Sequence, residues 1–364
     1  MDKKVLFILI GNIRYDGRVK KEIESLLKFG FNISIIVTSF DQDDSESNYK
    51  FKIHVVDHPS GTSLINKVSN KMRFKSAIDR IVSHEKPDYI HCNDNTIFYV
   101  GKWVNKIKIV YDAHELLPEL EYGVRKSITT FLERRKIRHV HAVIIPQIDR
   151  LNYFYFRNKD IIEKDKIHLL ENFPSKNTTI IPNYFSTKYN ISTENIKVLS
   201  YVGLISKARR ILEIIEAVAK IDELMVFIIG PADTEYKKQV INLIQVKGIK
   251  DRVFIKDPIP NEEVISVAAS SDIGISFYTD PNLNSYFCAS NKLYENLNCG
   301  MAVLTNNIAG TARIIQSGIN GFLIDNVSVE DIYRGLKVLY EMDSPEKTDF
   351  YWENQEEILR QIYS

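Results

Sequence analysis

Short apolar runs alternate with amphipathic stretches along the whole chain. The first run, at 5–10, precedes a helical pattern that starts after Asp16 and ends at Gly30. Further strands are predicted at 33–37, 52–56, 88–91, 107–111 and 141–145, with helices at 62–84, 95–104, 117–138 and 147–156. This alternation indicates a parallel sheet covered by helices on both faces.

The pattern weakens near 171–196, where proline, serine, threonine and asparagine accumulate, and a linker is predicted at 173–196. It then restarts, with strands at 197–202, 225–229, 252–256, 272–276, 301–304 and 321–324 and helices at 209–220, 235–247, 261–270, 291–298 and 328–341. We therefore expect an α/β chain of two Rossmann-like domains, 1–172 and 197–349, with a helical tail at 350–364. A ligand crevice is expected at the carboxyl ends of the strands.

The composition restricts the number of domains, the binding partners and the compartment that we expect. The 364 residues suit two domains, and a net charge of +1 gives no overall field that would favour nucleic acid. Three widely spaced cysteines form no disulfide pattern, which is typical of a reducing compartment. The first apolar run is too short for a signal peptide or a membrane span, so a cytoplasmic protein is expected.

Two predicted helix starts carry cations. In the first, Ser290 is a natural N-cap and Gly300 a natural stop, and Lys292 falls in the first turn, where a cation opposes the helix dipole unless an anion is bound. Asn291 and Glu295 project from the same side of this helix. One reading is a phosphate at Lys292 with a sugar hydroxyl at Glu295; the other is a surface Lys–Glu pair.

The second start follows a strand that ends at Gly203. Lys207, Arg209 and Arg210 come next, and cations at this end of a helix suit a diphosphate. A solvated basic turn is the alternative. The loop at Gly11 also joins a strand to a helix, but it lacks the GxGxxG pattern of dinucleotide-binding proteins.

Histidines follow two predicted strands of the first domain. His114 lies between Asp112 and Glu115, and His91 ends the preceding strand. At this edge of the sheet a histidine can bond a sugar hydroxyl or stabilise charge; a structural histidine is the alternative. The DxD spacing at Asp41–Asp43 lies in a polar loop, so no metal is expected.

Helix 117–138 is predicted to be amphipathic. Val124, Ile128, Phe131 and Leu132 share one face, and basic residues occupy the rest: Arg125, Lys126, Arg134, Arg135, Lys136 and Arg138. Such a helix suits an anionic membrane surface. An ordinary packed helix with a charged outer face is the alternative.

These motifs together resemble the GT-B fold glycosyltransferases of family four, which include many bacterial capsule and lipopolysaccharide transferases. The resemblance covers most of the chain and rests on Asp16-Gly17-Arg18-Val19 with Gly30, Tyr111-Asp112-Ala113-His114-Glu115, Tyr201-Val202-Gly203 with Arg209, Ser290-Asn291-Lys292-Leu293-Tyr294-Glu295 with Cys299-Gly300, and Trp352-Glu353-Asn354-Gln355. It implies two Rossmann-like domains facing each other across a cleft, with a C-terminal helix that crosses back to the first domain.

The resemblance also implies roles for individual residues. The donor diphosphate is assigned to Arg209 and Lys292, with Lys207 and Gly11; the nucleotide and its ribose to Glu295, with Asn291 and Gly203; the transferred sugar to His114; and the acceptor or secondary positions to Arg18, His91, Asp112 and Glu115. Retention of anomeric configuration without a metal or other cofactor is implied. Phe287 replaces the first Glu of the E-x7-E motif, and Leu204 stands where many relatives carry Arg. The donor sugar, the base and retention therefore stay open.

The resulting hypothesis is transfer of a sugar from a nucleotide-sugar donor to a glycan or lipid-linked glycan in surface polysaccharide synthesis, with no nucleic-acid partner. Membrane contact through helix 117–138 at the inner face is part of it. Two alternatives share the fold. A nucleotide-sugar 2-epimerase would convert the donor without an acceptor, and an inactive partner subunit would bind the donor at most.

Overall fold

The computed structural model describes residues 3–41, 45–57, 64–176 and 179–364, with the side chains of 64–69 left out. The chain divides into two compact units. The first comprises the chain up to Asn172 together with Trp352–Ser364, and the second comprises Phe173–Tyr351.

The first unit is built on a parallel sheet which, in the part of the chain described, has seven strands in the order β3-β2-β1-β4-β5-β6-β7. The strands are β1 (Lys4–Leu9), β2 (Asn32–Val37), β3 (Lys52–Val55), β4 (Tyr89–Asn93), β5 (Lys108–Asp112), β6 (Ala142–Ile145) and β7 (Ile167–Leu169). The helices between them are α1 (Gly17–Lys28), α2 (Leu64–Glu85), α3 (Gly123–Ile137) and α4 (Ile148–Asn158). The strand order reverses between β1 and β4, and ligands of open α/β sheets bind at such a reversal.

The second unit repeats this plan with the order β10-β9-β8-β11-β12-β13. Its strands are β8 (Lys197–Val202), β9 (Leu224–Ile229), β10 (Val253–Lys256), β11 (Ile273–Ser276), β12 (Ala302–Asn306) and β13 (Gly321–Ile324). Its helices are α5 (Tyr184–Tyr189), α6 (Ile211–Val218), α7 (Thr234–Val246), α8 (Val264–Ala269), α9 (Leu283–Tyr286), α10 (Asn291–Cys299), α11 (Ala309–Ala312) and α12 (Val329–Glu341). The order reverses between β8 and β11, so the strand ends beside this point are the candidate ligand edge.

The predicted strands are confirmed, but two predicted helices differ. Residues 95–104 form a short 3-10 turn at Asp94–Phe98 and further turns. Helix 117–138 is divided into a 3-10 turn at Leu117–Leu120 and α3. The break lies at Glu121 and Tyr122, whose extended backbone separates the 3-10 turn from α3.

The predicted linker at 173–196 contains α5 and packs into the second unit. Tyr184 and Phe185 are buried, and the Phe185 ring stacks on Phe227 with centroids 3.8 Å apart. This apolar contact packs α5 against β9 despite the prolines and polar residues of the stretch.

The C-terminal tail belongs to the first unit. It forms a 3-10 turn at Trp352–Asn354 and the short helix α13 (Glu357–Ile362) instead of one helix over 350–364. The Trp352 indole N–H donates to Ser25 Oγ at 2.8 Å, and Leu359, Ile362 and Tyr363 are buried in the core of this unit. Burial of these apolar side chains fixes the tail on α1.

Candidate active site

Two clusters of charged residues lie at the carboxyl ends of strands, one in each unit. In the second unit, β8 runs into Gly203 and β9 into Gly230, with φ values of 150° and 151°. A Cβ on Gly230 would collide with the Gly203 carbonyl oxygen, and one on Gly203 would collide with Lys292 Nζ. Glycine at both positions therefore lets two loops and a lysine meet closely.

Lys292 lies in the first turn of α10, and its Nζ is 5.3 Å from the centroid of the Tyr201 ring. Burial and the neighbouring Arg209 lower the pKa of Lys292 to about 8, against the opposing charge of Glu295. The Ser290 hydroxyl accepts from Tyr278 at 2.6 Å and makes no capping bond to α10. A lysine thus lies in an uncapped first turn beside a second cation, an arrangement that favours a bound anion.

Arg209 supplies the second cation from a 3-10 turn at Lys207–Arg209, and its Nη1 donates to the Phe277 carbonyl at 3.2 Å. The prediction of cations inside the first turn of a helix at 209 is wrong. α6 starts only at Ile211, because Arg210 adopts a left-handed φ of 55° and ion-pairs with Glu213 at 2.9 Å. Lys207 is exposed at the edge of this loop.

The remaining donor-site candidates lie on α10. Asn291 Oδ1 is buried, and no hydrogen-bond partner for it is found among the described residues. Glu295 is one turn from Lys292 and lines a small pocket with it; the other lining residues are Ser200, Val202, Val264, Ala268, Ile275 and Asn296. Lys292 and Glu295 therefore line one pocket from the same side of α10, as their spacing predicts.

The first-unit cluster centres on Asp112 at the end of β5. Arg18 of α1 binds this carboxylate with two parallel hydrogen bonds, Nε to Oδ2 and Nη2 to Oδ1, both 3.0 Å long. A third bond from Arg18 Nη1 reaches the Leu170 carbonyl at 2.8 Å. Both side chains are buried, and the Arg18 guanidinium helps to hold the pKa of Asp112 well below its usual range, against the effect of burial.

His114 lies between two carboxylates. Its Nε2 is 2.7 Å from Asp112 Oδ2, and its Nδ1 is 3.5 Å from Asp94 Oδ2. Burial alone would lower the pKa of His114, but the charges of Asp112 and Asp94 outweigh it and raise the pKa to about 10. The side chain is 20% exposed, so a cationic imidazolium reaches the surface at this edge of the sheet.

Glu115 lies at the exposed rim of this cluster. Its carboxylate is 3.4 Å from Arg150 Nη2, and its backbone N–H donates to Asp94 Oδ1 at 3.1 Å. Asp94 adopts a φ of 47°, which turns the chain after β4 and brings its carboxylate beside His114. The structure therefore brings Arg18, Asp112, His114 and Glu115 into one cluster.

His91 and Glu22 form the buried back of the cluster. His91 Nε2 lies 3.4 Å from Glu22 Oε2 and 3.7 Å from Asp112 Oδ2, and neither Glu22 nor His91 is exposed. Burial and the Asp112 charge raise the pKa of Glu22 well above its usual range. Glu22 is not among the site residues predicted from the sequence. Its only signal in the sequence is a carboxylate one turn after Arg18 on α1.

Glu22, His91 and Asp112 are, within the described residues, a set of side chains whose ligand atoms lie within 4.8 Å of one another. Arg18 contacts both carboxylates, with its Nη2 3.3 Å from Glu22 Oε1, so its guanidinium already supplies the positive charge. These residues do not fit a metal ion.

Two predicted features lie in loops near β1 and β2. Gly11 has a φ of 151°, and its carbonyl accepts from the N–H groups of Thr38 and Ser39. Asp41, the first residue of the DxD spacing, accepts from Asn12 Nδ2 at 2.9 Å and from the Tyr15 hydroxyl at 2.7 Å. Residues 42–44 lie outside the described residues.

Residues 186–356 match the model of the family described as Glycosyl transferases group 1. The uncharacterized glycosyltransferase MJ1069 of Methanocaldococcus jannaschii is 24% identical over 174 residues, an alignment that spans 46% of this chain and 41% of that protein. The chain thus aligns with less than half the length of this relative.

Solved structures match the whole chain. A glycosyltransferase from Rickettsia africae aligns over 100% of this chain and 99% of its own with a TM-score of 0.74 and 16% identity. Anabaena Alr3699/HepE, solved in complex with UDP and glucose, aligns over 100% and 96% with a TM-score of 0.70 and 14% identity.

Two Rossmann-like units, each with charged residues at its strand ends, define the fold class of the GT-B glycosyltransferases. The chain has this fold, and residues 186–356, which include most of its second unit, are similar to the glycosyl transferases group 1 family.

Proposed function

We propose that this protein transfers a sugar from a nucleotide-sugar donor to a glycan or lipid-linked glycan acceptor. One observation carries the proposal: Lys292 and Arg209 form a partly buried cation pair beside Gly203, at the strand-order reversal of the second sheet. Repulsion within this pair disfavours the empty site, and a diphosphate relieves it. HepE, a structural relative, was solved with UDP and glucose.

In this proposal, residues of α10 and of the loop after β8 bind different parts of the donor. Lys292 and Arg209 hold the diphosphate, with Lys207 at the loop edge and the backbone of Gly203 close to the nucleotide. Glu295 and Asn291 accept hydrogen bonds from the ribose, since a carboxylate and an amide oxygen are acceptors for hydroxyl groups. The same cations stabilise the charge that develops on the leaving diphosphate.

His114 acts in this scheme as a cationic hydrogen-bond donor. With a pKa of about 10 it keeps its proton at neutral pH, so it can donate to a sugar oxygen but cannot serve as a general base. Glu115, at the exposed rim, is the residue of this cluster placed to meet an acceptor. Retention of configuration and a reaction without metal complete the proposal.

The test is ¹H NMR of a nucleotide sugar incubated with the protein, with and without simple glycosides or a lipid extract as acceptors. Transfer predicts nucleoside diphosphate release that depends on acceptor and survives EDTA. Conversion of the intact nucleotide sugar without acceptor would instead show an epimerase. A donor that binds but stays unchanged with every acceptor would leave an inactive binding subunit.

The outer face of α3 carries exposed apolar side chains, and these support the proposed lipid-linked acceptor. Val124, Ile128 and Phe131 are 76%, 53% and 64% exposed, and Leu132 on the same face is 41% exposed. The acidic residue of α3, Glu133, is buried, whereas Arg125 and Arg135 are exposed. An apolar strip flanked by exposed arginines of its own helix suits an anionic lipid surface.

This surface supports a lipid-linked acceptor at the inner, cytoplasmic face of a membrane. Among the described residues, no helix is both long enough and apolar enough to cross a bilayer. Sedimentation with phosphatidylglycerol vesicles tests the surface contact. We expect Phe131→Asp to abolish co-sedimentation, and Val246→Asp, a matched exposed valine on α7, to preserve it. Wild-type protein that stays in the supernatant would refute the contact.

A further inference from the structure

The C-terminal tail brings a buried hydroxyl to the back of the Asp112 cluster. Tyr363 is fully buried, and its hydroxyl is hydrogen-bonded to His91 Nδ1. The two rings are parallel within 8°, and Phe7 stacks on His91 with centroids 4.2 Å apart. The orientation of the His91 ring is therefore fixed by its neighbours.

The other nitrogen of His91 faces carboxylates. Its Nε2 has the oxygens of Glu22 and Asp112 as neighbours, at 3.4 and 3.7 Å. The ionised Asp112 would repel a lone pair on Nε2, whereas Glu22, which its raised pKa keeps protonated, could donate to one. These two neighbours alone therefore allow either tautomer of His91. Burial and nearby carboxylates raise the pKa of Tyr363 well above its usual range, so its hydroxyl keeps a proton to donate to Nδ1. Burial also lowers the pKa of His91, which favours the neutral ring.

Asp112 connects this tautomer to His114. Its carboxylate receives Arg18 and His114 directly, and His91 lies behind it. The charged and titratable groups that face His91 are Arg18 and Glu22 from α1, Asp112 and His114 from the end of β5, and Tyr363 from the tail. An Nε2–H group on His91 attracts the Asp112 carboxylate electrostatically, whereas an Nε2 lone pair would repel it.

We infer that Tyr363 is a positioning residue for His114: its hydroxyl selects the Nε2–H tautomer of His91, which holds Asp112 where His114 binds it. The effect on catalysis rests on the proposed transfer function. Without the hydroxyl, His91 is no longer held in the Nε2–H tautomer, and the position of His114 becomes less well defined. We expect a roughly tenfold lower kcat with donor KM within about twofold, the range found when groups that orient an active-site ligand are removed.

The experiment compares Tyr363→Phe with Tyr89→Phe. Tyr89 belongs to the same buried aromatic group, with its ring centroid 5.0 Å from that of Tyr363, but its hydroxyl donates to the Ser364 carbonyl at 3.0 Å. ¹⁵N NMR of the histidine rings at neutral pH reports the tautomer directly. We expect the Nε2–H signature for His91 in wild type and Tyr89→Phe, and the Nδ1–H form in Tyr363→Phe.

An unchanged His91 tautomer in Tyr363→Phe would overturn the inference. So would an Nδ1–H or imidazolium signature in the wild type, a result that needs no variant and stands even if Tyr363→Phe fails to fold. An equal kcat loss in both variants would show a structural effect only and would also overturn it. Absence of wild-type turnover with every donor and acceptor would refute the transfer function instead, while the NMR result would still decide the tautomer.

Discussion

At the residue scale, the positive charge of His114 determines the chemical role that we propose for this residue. Two carboxylates hold the ring as an imidazolium, and Arg18 keeps one of them, Asp112, ionised. Because each partner stabilises the charged form of the other, the cluster contributes to folding as well as to the site.

The raised pKa of His114 predicts a specific dependence of stability on pH. A histidine titrates near pH 6.5 in the unfolded chain and near pH 10 here, so its contribution is complete below pH 6.5 and is lost as the pH rises towards 10. We expect the free energy of unfolding to fall by roughly 2–4 kcal/mol over this range because of this residue. Urea unfolding at pH 6 and pH 9.5 measures it.

His114→Asn serves as the reference for that experiment. The variant lacks the titrating ring, so its stability should change less over the same interval. Equal slopes for variant and wild type would contradict the assigned pKa and, with it, the imidazolium role.

At the element scale, the strand-to-loop junctions after β8 and β9 shape the proposed donor site. Gly203 and Gly230 have similar positive φ values, and each touches a neighbouring group that a side chain would displace. These contacts, more than the sheet itself, bring the Lys292 amine over the loop.

We expect Gly230→Ala to destabilise the second unit and weaken donor binding, because the new Cβ collides with the Gly203 carbonyl. Gly318→Ala is the matched control: its φ of 82° imposes backbone strain, yet nothing lies within 4 Å of its added Cβ. The difference between the two in unfolding free energy should be about 1–3 kcal/mol. Equal losses would mean that strain, and not the loop contact, makes the glycine necessary.

The sequence predicts elements that depend on local patterns, and it does not predict features that depend on contacts between residues far apart in the chain. The buried strands carry their own apolar signal, so they were predicted nearly to the residue. β7 has only three residues, too few for a period, and the apolar pattern gives no sign of the extended backbone at Glu121 and Tyr122 that divides helix 117–138. Lys292 and Glu295 share a face by spacing, whereas Glu22 and Tyr363 reach His91 only through tertiary contacts.

At the scale of the whole molecule, the first unit is assembled from both ends of the sequence. Trp352, Ile362 and Tyr363 fill its core although more than 170 residues of the second unit intervene. The tail therefore contributes to the core and, through Tyr363, to the candidate site.

This arrangement predicts that a fragment of residues 1–172 is deficient without the tail. We expect it to unfold at a lower temperature, or to fold incompletely, and to regain stability when a peptide of residues 350–364 is added. Circular dichroism melts with and without peptide measure the effect, and a peptide with Trp352→Ala is the control. A fragment whose stability does not respond to the peptide would contradict it.

The central claim is that Lys292 and Arg209 hold the diphosphate of a nucleotide-sugar donor. Calorimetric titration with UDP-, GDP-, CDP- and dTDP-sugars tests it most directly in wild type, Lys292→Gln and Lys220→Gln. Lys220 is the control because its ion pair with Glu330 lies on an exposed surface of the same unit. We predict that one nucleotide class binds, that Lys292→Gln weakens it roughly 10- to 100-fold, and that Lys220→Gln leaves it unchanged. No binding at millimolar donor, or full affinity in Lys292→Gln, would contradict the claim.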